Sequence, residues 1–385
     1  MLIAILLMGM GEELWTRFIP KYLQLLGAGT WIIAIYGTIK DLLDGIYQYP
    51  GGWLTDHLGR RKSLVVFTSI ATVGYLIYLF SPSYEWILFG TIFVMAWSSL
   101  TLPAFFAIIG DNLPQEQRST AFGVQAFIKR IPIVIAPAIG GWLIVQAGFS
   151  NGISLALALT IVLSITSSVI VLRSYRDENQ PVTEKSNFKQ VWGEMDPYLK
   201  KLLVADCFAR WAEGIPKVFI VLYVLNDLQA SPFQFGLLTS IQTLTSMAAY
   251  IPFARMSDKL NRKPFVLATF IFFALFPLVL VNATSFVLLI IAFITAGLRE
   301  IGEPARKAQI TDLAKISARG RTVGMYYLVR GISVFPASIV GGWLWSMHNT
   351  LTFYVAFGFG VIGCIWYALQ VKNFNNNAPA AAGKS

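Results

Sequence analysis

Twelve apolar stretches run through the sequence, and each is roughly 20 residues or longer, the length that a helix needs to cross a bilayer. Hydrophobic residues make up 56% of the 385 residues and charged residues only 13%, whereas a soluble domain carries about 25% charged residues. This composition indicates a membrane protein with many spans. The predicted spans, numbered in chain order, are residues 1–26, 30–57, 62–80, 84–109, 118–146, 150–173, 199–226, 232–257, 263–281, 284–310, 320–347 and 350–371.

An all-α fold follows, because a helix satisfies its own backbone hydrogen bonds in lipid. A transmembrane barrel would need short segments of alternating apolar and polar residues, which the sequence lacks. Cys207 and Cys364 both lie within predicted spans, so they indicate neither a disulfide framework nor a CxxC site. The lipid bilayer is therefore the first partner that the sequence predicts.

The connections between the spans alternate in charge. Lys and Arg are abundant in the joints after spans 2, 8 and 10 and in the long connection after span 6, whereas the opposite joints contain neither. By the positive-inside rule, both termini and the long connection are expected on the cytoplasmic side of the plasma (inner) membrane. Met1 leads into the first span without a basic leader, so that span is expected to be retained. Much of the +10 net charge is then a topology signal. No nucleic-acid partner is needed to explain it, and the basic rim would also suit anionic lipid.

The sequence contains a long direct repeat. Residues 103–144 align without a gap on residues 304–345, and the motif GGWL occurs in both copies. Six spans separate the copies, so both halves cross the membrane in the same direction, and two parallel six-helix bundles around a central cavity are a transporter architecture. The predicted fold is an all-α membrane protein of two parallel, pseudo-symmetric six-helix bundles. The predicted parts are an N-terminal bundle (1–173), a cytoplasmic linker (174–198), a C-terminal bundle (199–371) and a disordered tail (372–385).

The joint after span 2 resembles a signature of the major facilitator superfamily. The stretch GWLTDHLGRRK matches the pattern Gly-x-x-x-Asp-x-x-Gly-Arg-Arg/Lys, and the second copy, ARMSDKLNRK, has Ala254 and Asn261 where glycines belong. The resemblance implies the fold of that superfamily and transport by alternating access, with this motif as a gate that stabilises one access state. The implied gate residues are Gly52, Asp56, Gly59, Arg60 and Arg61 in the first copy and Asp258, Arg262 and Lys263 in the second.

Span 5 resembles, over fewer residues, the fifth helix of the proton-coupled exporters of that superfamily. Pro132 and Ala136 replace two glycines of their pattern. Since span 11 repeats the Gly-Gly pair, close packing of helices explains the glycines as well as an exporter function does. The residues assigned to this packing are Gly123, Pro137, Gly140, Gly141, Gly341 and Gly342.

Sixteen charged residues fall inside the predicted hydrocarbon region. Each would cost about 2.5–3.5 kcal/mol facing lipid, so they are expected to face a wet cavity or one another. Spacing of i,i+4 predicts the pairs Glu13–Arg17, Lys40–Asp44, Asp206–Arg210, Glu213–Lys217 and Arg299–Glu303. Arg306 and Lys307 are expected to reach the inner surface and Lys21 the outer one. The acidic residues are Glu12, Glu13, Asp41, Asp44, Asp206, Glu213, Glu300 and Glu303, and the basic residues are Arg17, Lys40, Lys129, Arg130, Arg210, Lys217, Arg299 and Arg330.

These charges predict the class of the transported substrate and the ion that drives transport. Eight acids against eight bases favour a zwitterion or an amphiphile with a polar head over a substrate of one strong sign. A carboxylate beside a cation in a cavity can bind and release a proton, so proton-coupled efflux is expected, with Glu13 and Glu213 as first candidates and Asp41, Asp44 and Glu303 next. Sodium coupling stays open, and the charges alternatively form static ion pairs.

Other functions remain on the same scaffold, namely an uptake symporter for a charged metabolite or a lipid flippase. A non-transporting receptor has little need for sixteen buried charges. The sequence has two histidines, His57 and His348, which are far apart, so a histidine-based metal site is not expected. No hydrolase or metalloprotease motif occurs, and we expect no enzymatic activity and no cofactor. The partners expected are a small-molecule substrate, a proton and the bilayer, with the chain acting as a monomer.

Overall fold

The computed structural model describes residues 2–100, 115–174, 192–193, 195–313 and 319–371, and every regular element in these ranges is helical. Residues 175–191 of the predicted linker and the predicted disordered tail 372–385 lie outside the described residues. The α-helices are α1 (Leu2–Trp15), α2 (Ile19–Leu25), α3 (Thr30–Leu58), α4 (Arg60–Leu79), α5 (Tyr84–Met95), α6 (Gln115–Ala147), α7 (Phe149–Ser174), α8 (Pro197–Gly214), α9 (Ile220–Leu222), α10 (Pro232–Lys259), α11 (Arg262–Val281), α12 (Phe286–Leu298), α13 (Glu303–Asp312), α14 (Arg319–Val334), α15 (Ala337–Met347) and α16 (Leu351–Gln370).

Several predicted spans are broken helices. A 3₁₀ turn, Thr16–Phe18, joins α1 to α2 within span 1, and a π-helical turn, Ala96–Leu100, follows α5 in span 4. In span 10, α12 ends at Leu298 and α13 begins at Glu303 with a proline in its first turn. Proline is favoured in the first turn of a helix, where its missing N–H needs no partner. Two of these breaks, in spans 1 and 10, lie beside intramembrane charges.

Among the described residues, six helices are long and apolar enough to cross a membrane by length and composition. Of the other predicted spans, four (1, 4, 7 and 10) are divided by breaks, α3 carries Lys40, Asp41 and Asp44, and α10 is unbroken but contains many Ser, Thr and Gln residues. The six segments are Arg61–Leu79, Ile128–Ala147, Phe149–Arg173, Arg262–Val281, Thr322–Met347 and Leu351–Gln370.

The first compact unit of the chain comprises Met1–Glu184, Lys217–Ser240 and Phe335–Met347. Its last two segments belong to the second half of the sequence repeat, yet they pack within this unit. Glycines permit the closest approaches: a Cβ on Gly140 would lie 1.8 Å from the backbone oxygen of Leu14, and one on Gly141 would lie 2.3 Å from that of Pro232. The Gly-Gly pair of α6 thus packs against both α1 and α10.

The second compact unit comprises Lys185–Pro216, Ile241–Val334 and His348–Ser385. Its apolar core joins α8, α11 and α16 and includes the fully buried side chains of Phe270 and Tyr367. A Cβ on Gly302, in the turn between α12 and α13, would lie 2.1 Å from the backbone oxygen of Phe265. Only glycine fits there, so the turn that precedes Glu303 is held against α11.

Candidate functional site

A buried carboxylate, Asp206 of α8, lies at the centre of a charged cluster in the second unit. Its side chain is 1% exposed. The Tyr326 hydroxyl donates a hydrogen bond to Oδ2 at 3.0 Å, Arg330 Nη1 donates to the same oxygen at 3.3 Å, and Arg306 Nη1 also donates to it. These donors come from α13 and α14, so the carboxylate links three helices.

Arg306 is the most buried base of this cluster, at 1% exposure. Besides Asp206, it binds Glu303 with two nitrogens: Nε donates to Oε2 at 2.9 Å and Nη2 donates to Oε1 at 2.7 Å. The expectation that Arg306 reaches the inner surface is therefore wrong. The break before Glu303 starts a new helix, and the residue three positions later faces the carboxylate of α8 instead of the membrane surface. Lys307, by contrast, is half exposed and reaches Glu303 at 3.6 Å.

Arg210 connects the carboxylates of the cluster. Its guanidinium lies 2.8 Å from Glu213, 3.7 Å from Glu303 and 3.8 Å from Asp206. Arg299 approaches the other oxygen of Glu213 at 3.5 Å, and the guanidinium groups of Arg210 and Arg299 each lie 5.0 Å from the ring centroid of Phe273. We call the set the acid–arginine cluster; its members are Asp206, Arg210, Glu213, Arg299, Glu303, Arg306, Tyr326 and Arg330.

Two predicted pairs of this region have different outcomes. Asp206 and Arg210 form an ion pair, although at 3.8 Å it is not a hydrogen bond. The Arg299–Glu303 pair is wrong, because the turn after Leu298 takes the two residues off a common helix face, and the arginine pairs with Glu213 instead. Glu300 lies in the same turn.

The first unit places Glu12 and Glu13 side by side in different surroundings. Glu13 and Arg17 form the predicted i,i+4 ion pair at 3.2 Å. Glu12 instead accepts a hydrogen bond from the Tyr75 hydroxyl at 2.7 Å. Within the described part of the chain, no Lys or Arg nitrogen lies within 4.0 Å of the Glu12 carboxylate. Trp15 packs edge-on against the ring of Tyr75. Glu12 is thus a half-buried acid with a neutral partner.

The charged residues Lys40 and Asp44 of α3 do not pair with each other. The predicted Lys40–Asp44 pair is wrong: Asp44 accepts a hydrogen bond from Ser99 of the π-helical turn at 2.8 Å, and the ammonium of Lys40 lies 5.7 Å from the ring centroid of Tyr36. The side chain of Lys40 therefore extends along the helix away from Asp44.

Lys217 lies in the first unit and donates a 2.6 Å hydrogen bond to Asp41. Its predicted i,i+4 partner, Glu213, belongs to the second unit, where Arg210 and Arg299 bind it. Lys129 and Arg130 are half-buried on α6.

The gate motif forms the tight turn between α3 and α4. Gly59 ends α3 with φ of +83°, a conformation that side chains other than glycine rarely adopt. Arg61 donates a hydrogen bond to the backbone oxygen of Leu172. The side chains of Asp56 and Arg60 and the surroundings of Gly52 lie outside the described residues.

The second copy of the motif forms a different turn. Asn261, in place of the glycine, has φ of −68° and its side chain accepts a hydrogen bond from the Lys263 backbone at 3.0 Å, which caps α11. Lys263 Nζ donates to the backbone oxygen of Ala368 at 2.9 Å. The two copies therefore share charged positions but not backbone geometry. Arg262 is half-buried, and the side chain of Asp258 lies outside the described residues.

Two hydroxyl partners of the acidic residues were not predicted: Tyr75 and Ser99. Neutral hydroxyls in an apolar span carry no signal in composition or spacing, so nothing short of the tertiary structure could identify them. Arg306 had a signal that residue counting obscured, since it follows Glu303 by three positions, the spacing of helical neighbours.

Comparison with known proteins agrees with this architecture. The model of the Major Facilitator Superfamily matches residues 1–209 and 202–384. The chain is 22% identical over 354 residues to the uncharacterized MFS-type transporter MJ1317 of Methanocaldococcus jannaschii, covering 89% of this chain and 87% of that protein. It is 25% identical over 281 residues to the multi-drug resistance efflux pump PmrA homolog of Lactococcus lactis, covering 69% and 67%.

A solved structure shares the fold. The nucleoside transporter NupG superposes with a TM-score of 0.81 over 96% of this chain and 98% of its own, at 11% sequence identity. At that identity the likeness concerns the fold alone. The family model, in contrast, covers both halves of the sequence repeat. The chain belongs to the Major Facilitator Superfamily of membrane transporters.

Proposed function

We propose that this protein exports a small polar, zwitterionic or amphiphilic organic solute by alternating access, driven by protons that enter in exchange. Family membership supports small-molecule transport across a membrane. The efflux direction is supported by the relative in Lactococcus lactis, an efflux pump by its own description. The basic joints support an orientation with both termini on the cytoplasmic side of the inner membrane.

The observation that carries proton coupling is the environment of Glu12. A proton taken up by Glu12 would preserve its hydrogen bond to Tyr75, with donor and acceptor exchanged. A proton taken up by Glu13 would instead remove the ion pair with Arg17, and Glu213 is held by two arginines. Glu12 therefore takes the place of Glu13 and Glu213 as the first candidate for the coupling carboxyl.

The acid–arginine cluster supports the class of substrate. Its carboxylates and guanidinium groups lie within a few ångströms of one another, and the rings of Phe273 and Phe276 lie 5.0 Å from the guanidinium of Arg299. A substrate that bears both signs can exchange with either partner of such a pair, and an apolar body can contact the rings. A solute of one strong sign would leave a buried charge without its partner.

Alternating access requires contacts that form and break at each end of the spans. Within the first unit, Ser240 of α10 donates a hydrogen bond to the backbone oxygen of Val134. Nearby, a Cβ on Gly236 would lie 2.2 Å from the oxygen of Pro137. These contacts lie toward the ends opposite the basic joints. In the proposed orientation they close the outer side, and they must open for release, while the turn at Gly59 belongs to the inner gate.

A thermal-shift screen of the purified protein against metabolites and drugs would supply a substrate. Its accumulation is then measured in expressing cells with and without an uncoupler. Export driven by protons predicts that the uncoupler raises accumulation. A fall would indicate uptake symport, and no change would reject coupling to protons. Replacing sodium by potassium at a fixed pH gradient separates the two coupling ions.

A further inference from the structure

The second unit contains a groove that the proposed function does not use. It encloses 430 Å³ and is bounded by α8, α14 and α16. Its walls are largely apolar and include Val204, Cys207, Trp211 and Phe359. Among the described residues that line it, Lys200 is the one with a charge. On α8 the lining residues recur at helical spacing, one position away from the Asp206 and Arg210 face that binds the acid–arginine cluster.

At one lining position, Ser333, the first half of the repeat has a closer contact. Ser333 of α14 lines the groove, and its repeat equivalent is Pro132 of α6. A Cβ on Gly9 of α1 would lie 3.0 Å from Pro132. In α14, by contrast, a Cβ on Gly324 or Gly331 would meet nothing within 4 Å. Open space therefore lies beside two positions of α14.

The mouth of the groove combines a cation with an aromatic ring. The ammonium of Lys200 lies 5.3 Å from the ring centroid of Trp192, which is 36% exposed. In the described part of the chain, no carboxylate oxygen lies within 4.0 Å of this ammonium. The nearby carboxylate of Asp196 accepts a hydrogen bond from the Tyr198 backbone at 2.7 Å and caps α8. Among the described residues, no acidic side chain therefore competes with an anion for Lys200.

The end of the groove farthest from Lys200 offers no free polar group, although the indole of Trp211 lies there. Trp211 Nε1 donates a 2.8 Å hydrogen bond to the backbone oxygen of Ser333, so its polar atom is already satisfied. Its ring stacks on Phe359 with centroids 5.2 Å apart. From Lys200 to Trp211, α8 rises about 16 Å, close to half of the roughly 30 Å hydrocarbon core. The groove therefore has the depth of one leaflet, with its cation at the surface.

We propose that this groove binds an anionic phospholipid, with the phosphate on Lys200 and one acyl chain against Cys207, Trp211 and Phe359. Basic pockets between helices on the cytoplasmic side bind anionic head groups, and Lys200 follows the basic connection after span 6. The inference rests on the proposed orientation of the chain, but it is independent of which solute the protein transports and of the coupling ion.

Native mass spectrometry of the full chain tests the proposal with phosphatidylglycerol and phosphatidylcholine of identical acyl chains. We expect Lys200→Gln to lower retention of phosphatidylglycerol about fivefold, the loss of one lysine–lipid attraction at a membrane surface. Lys201→Gln is the matched control, since Lys201 is the next residue but does not line the groove. Retention of phosphatidylcholine should be the same in all three proteins. Equal retention of phosphatidylglycerol by wild type and Lys200→Gln overturns the assignment.

Cysteine labelling tests where the acyl chain of the lipid lies. In a Cys364→Ala background, phosphatidylglycerol should slow the reaction of Cys207 with N-ethylmaleimide, and Lys200→Gln should remove most of that protection. In a Cys207→Ala background, the rate at Cys364, which does not line the groove, should not change. Unchanged labelling of Cys207 overturns the acyl-chain site. Equal protection by glycerol phosphate alone would overturn the lipid and indicate a small-anion site.

Discussion

Arg306 and Asp206 form a salt bridge between α13 and α8 in which each side chain is only 1% exposed. The two residues are 100 positions apart in the sequence. Their contact exists because the chain breaks between α12 and α13, with Gly302 pressed against Phe265. Tyr326 adds a hydroxyl from α14 to the same carboxylate oxygen. The salt bridge therefore fixes the relative positions of three helices in the second unit.

Removing Arg306 should destabilise the protein strongly, because Asp206 and Glu303 would both lose their closest cation. We expect Arg306→Met to lower the free energy of unfolding by about 3–5 kcal/mol, the usual cost of stranding a buried charge. Lys307→Met is the matched control: its side chain is 52% exposed, and a pair of that kind contributes about 0–1 kcal/mol. Denaturant unfolding in detergent measures both. Equal effects of the two changes would show that burial does not govern this cluster.

Much of this architecture could be predicted from sequence. The hydrophobic stretches and the repeat can be recognised without knowing which helices meet, and both agree with the superfamily fold. The Glu13–Arg17 pair was predictable from its i,i+4 spacing, because the short 3₁₀ turn after α1, Thr16–Phe18, still leaves the two side chains within reach of each other. Arg299 and Glu303 have the same spacing, but a helix break separates them. The partners of Glu12 and Asp206 depend on which helices meet, which no local pattern contains.

The Glu13–Arg17 pair gives a test of static against functional charge. Each single change, Glu13→Gln or Arg17→Gln, leaves one charge without its partner. We expect it to lower the free energy of unfolding by up to about 3 kcal/mol. The double variant Glu13→Gln/Arg17→Gln should recover stability, and we expect it to keep gradient-driven transport. Transport assays in proteoliposomes measure this. Loss of gradient-driven transport in a stable double variant would return the coupling role to Glu13.

The close contact of Gly236 on α10 with Pro137 on α6 should be needed for closure of the outer side. In Gly236→Val, the added carbons would collide with the backbone of Pro137, where even a Cβ would lie only 2.2 Å from the oxygen. We expect transport to fall at least about tenfold, because one access state can no longer form. Gly324→Ala is the control, since a Cβ there meets nothing within 4 Å. The rate at which a water-soluble thiol reagent labels a cysteine introduced near Val134 should rise in Gly236→Val and stay unchanged in Gly324→Ala.

Glu12→Gln fixes the neutral form of the proposed coupling carboxyl while keeping its size and its hydrogen bond to Tyr75. Gradient-driven transport should be lost, and exchange of substrate for substrate should survive, because exchange moves no net proton. Substrate binding should also become less sensitive to pH. Glu85→Gln is the control, since it makes the same chemical change in the first turn of α5, away from the buried charges. Counterflow and pH-jump assays in proteoliposomes separate the two activities. Proton-driven transport by Glu12→Gln at the wild-type rate would exclude Glu12, and Asp44, which a neutral hydroxyl also binds, would be tested next.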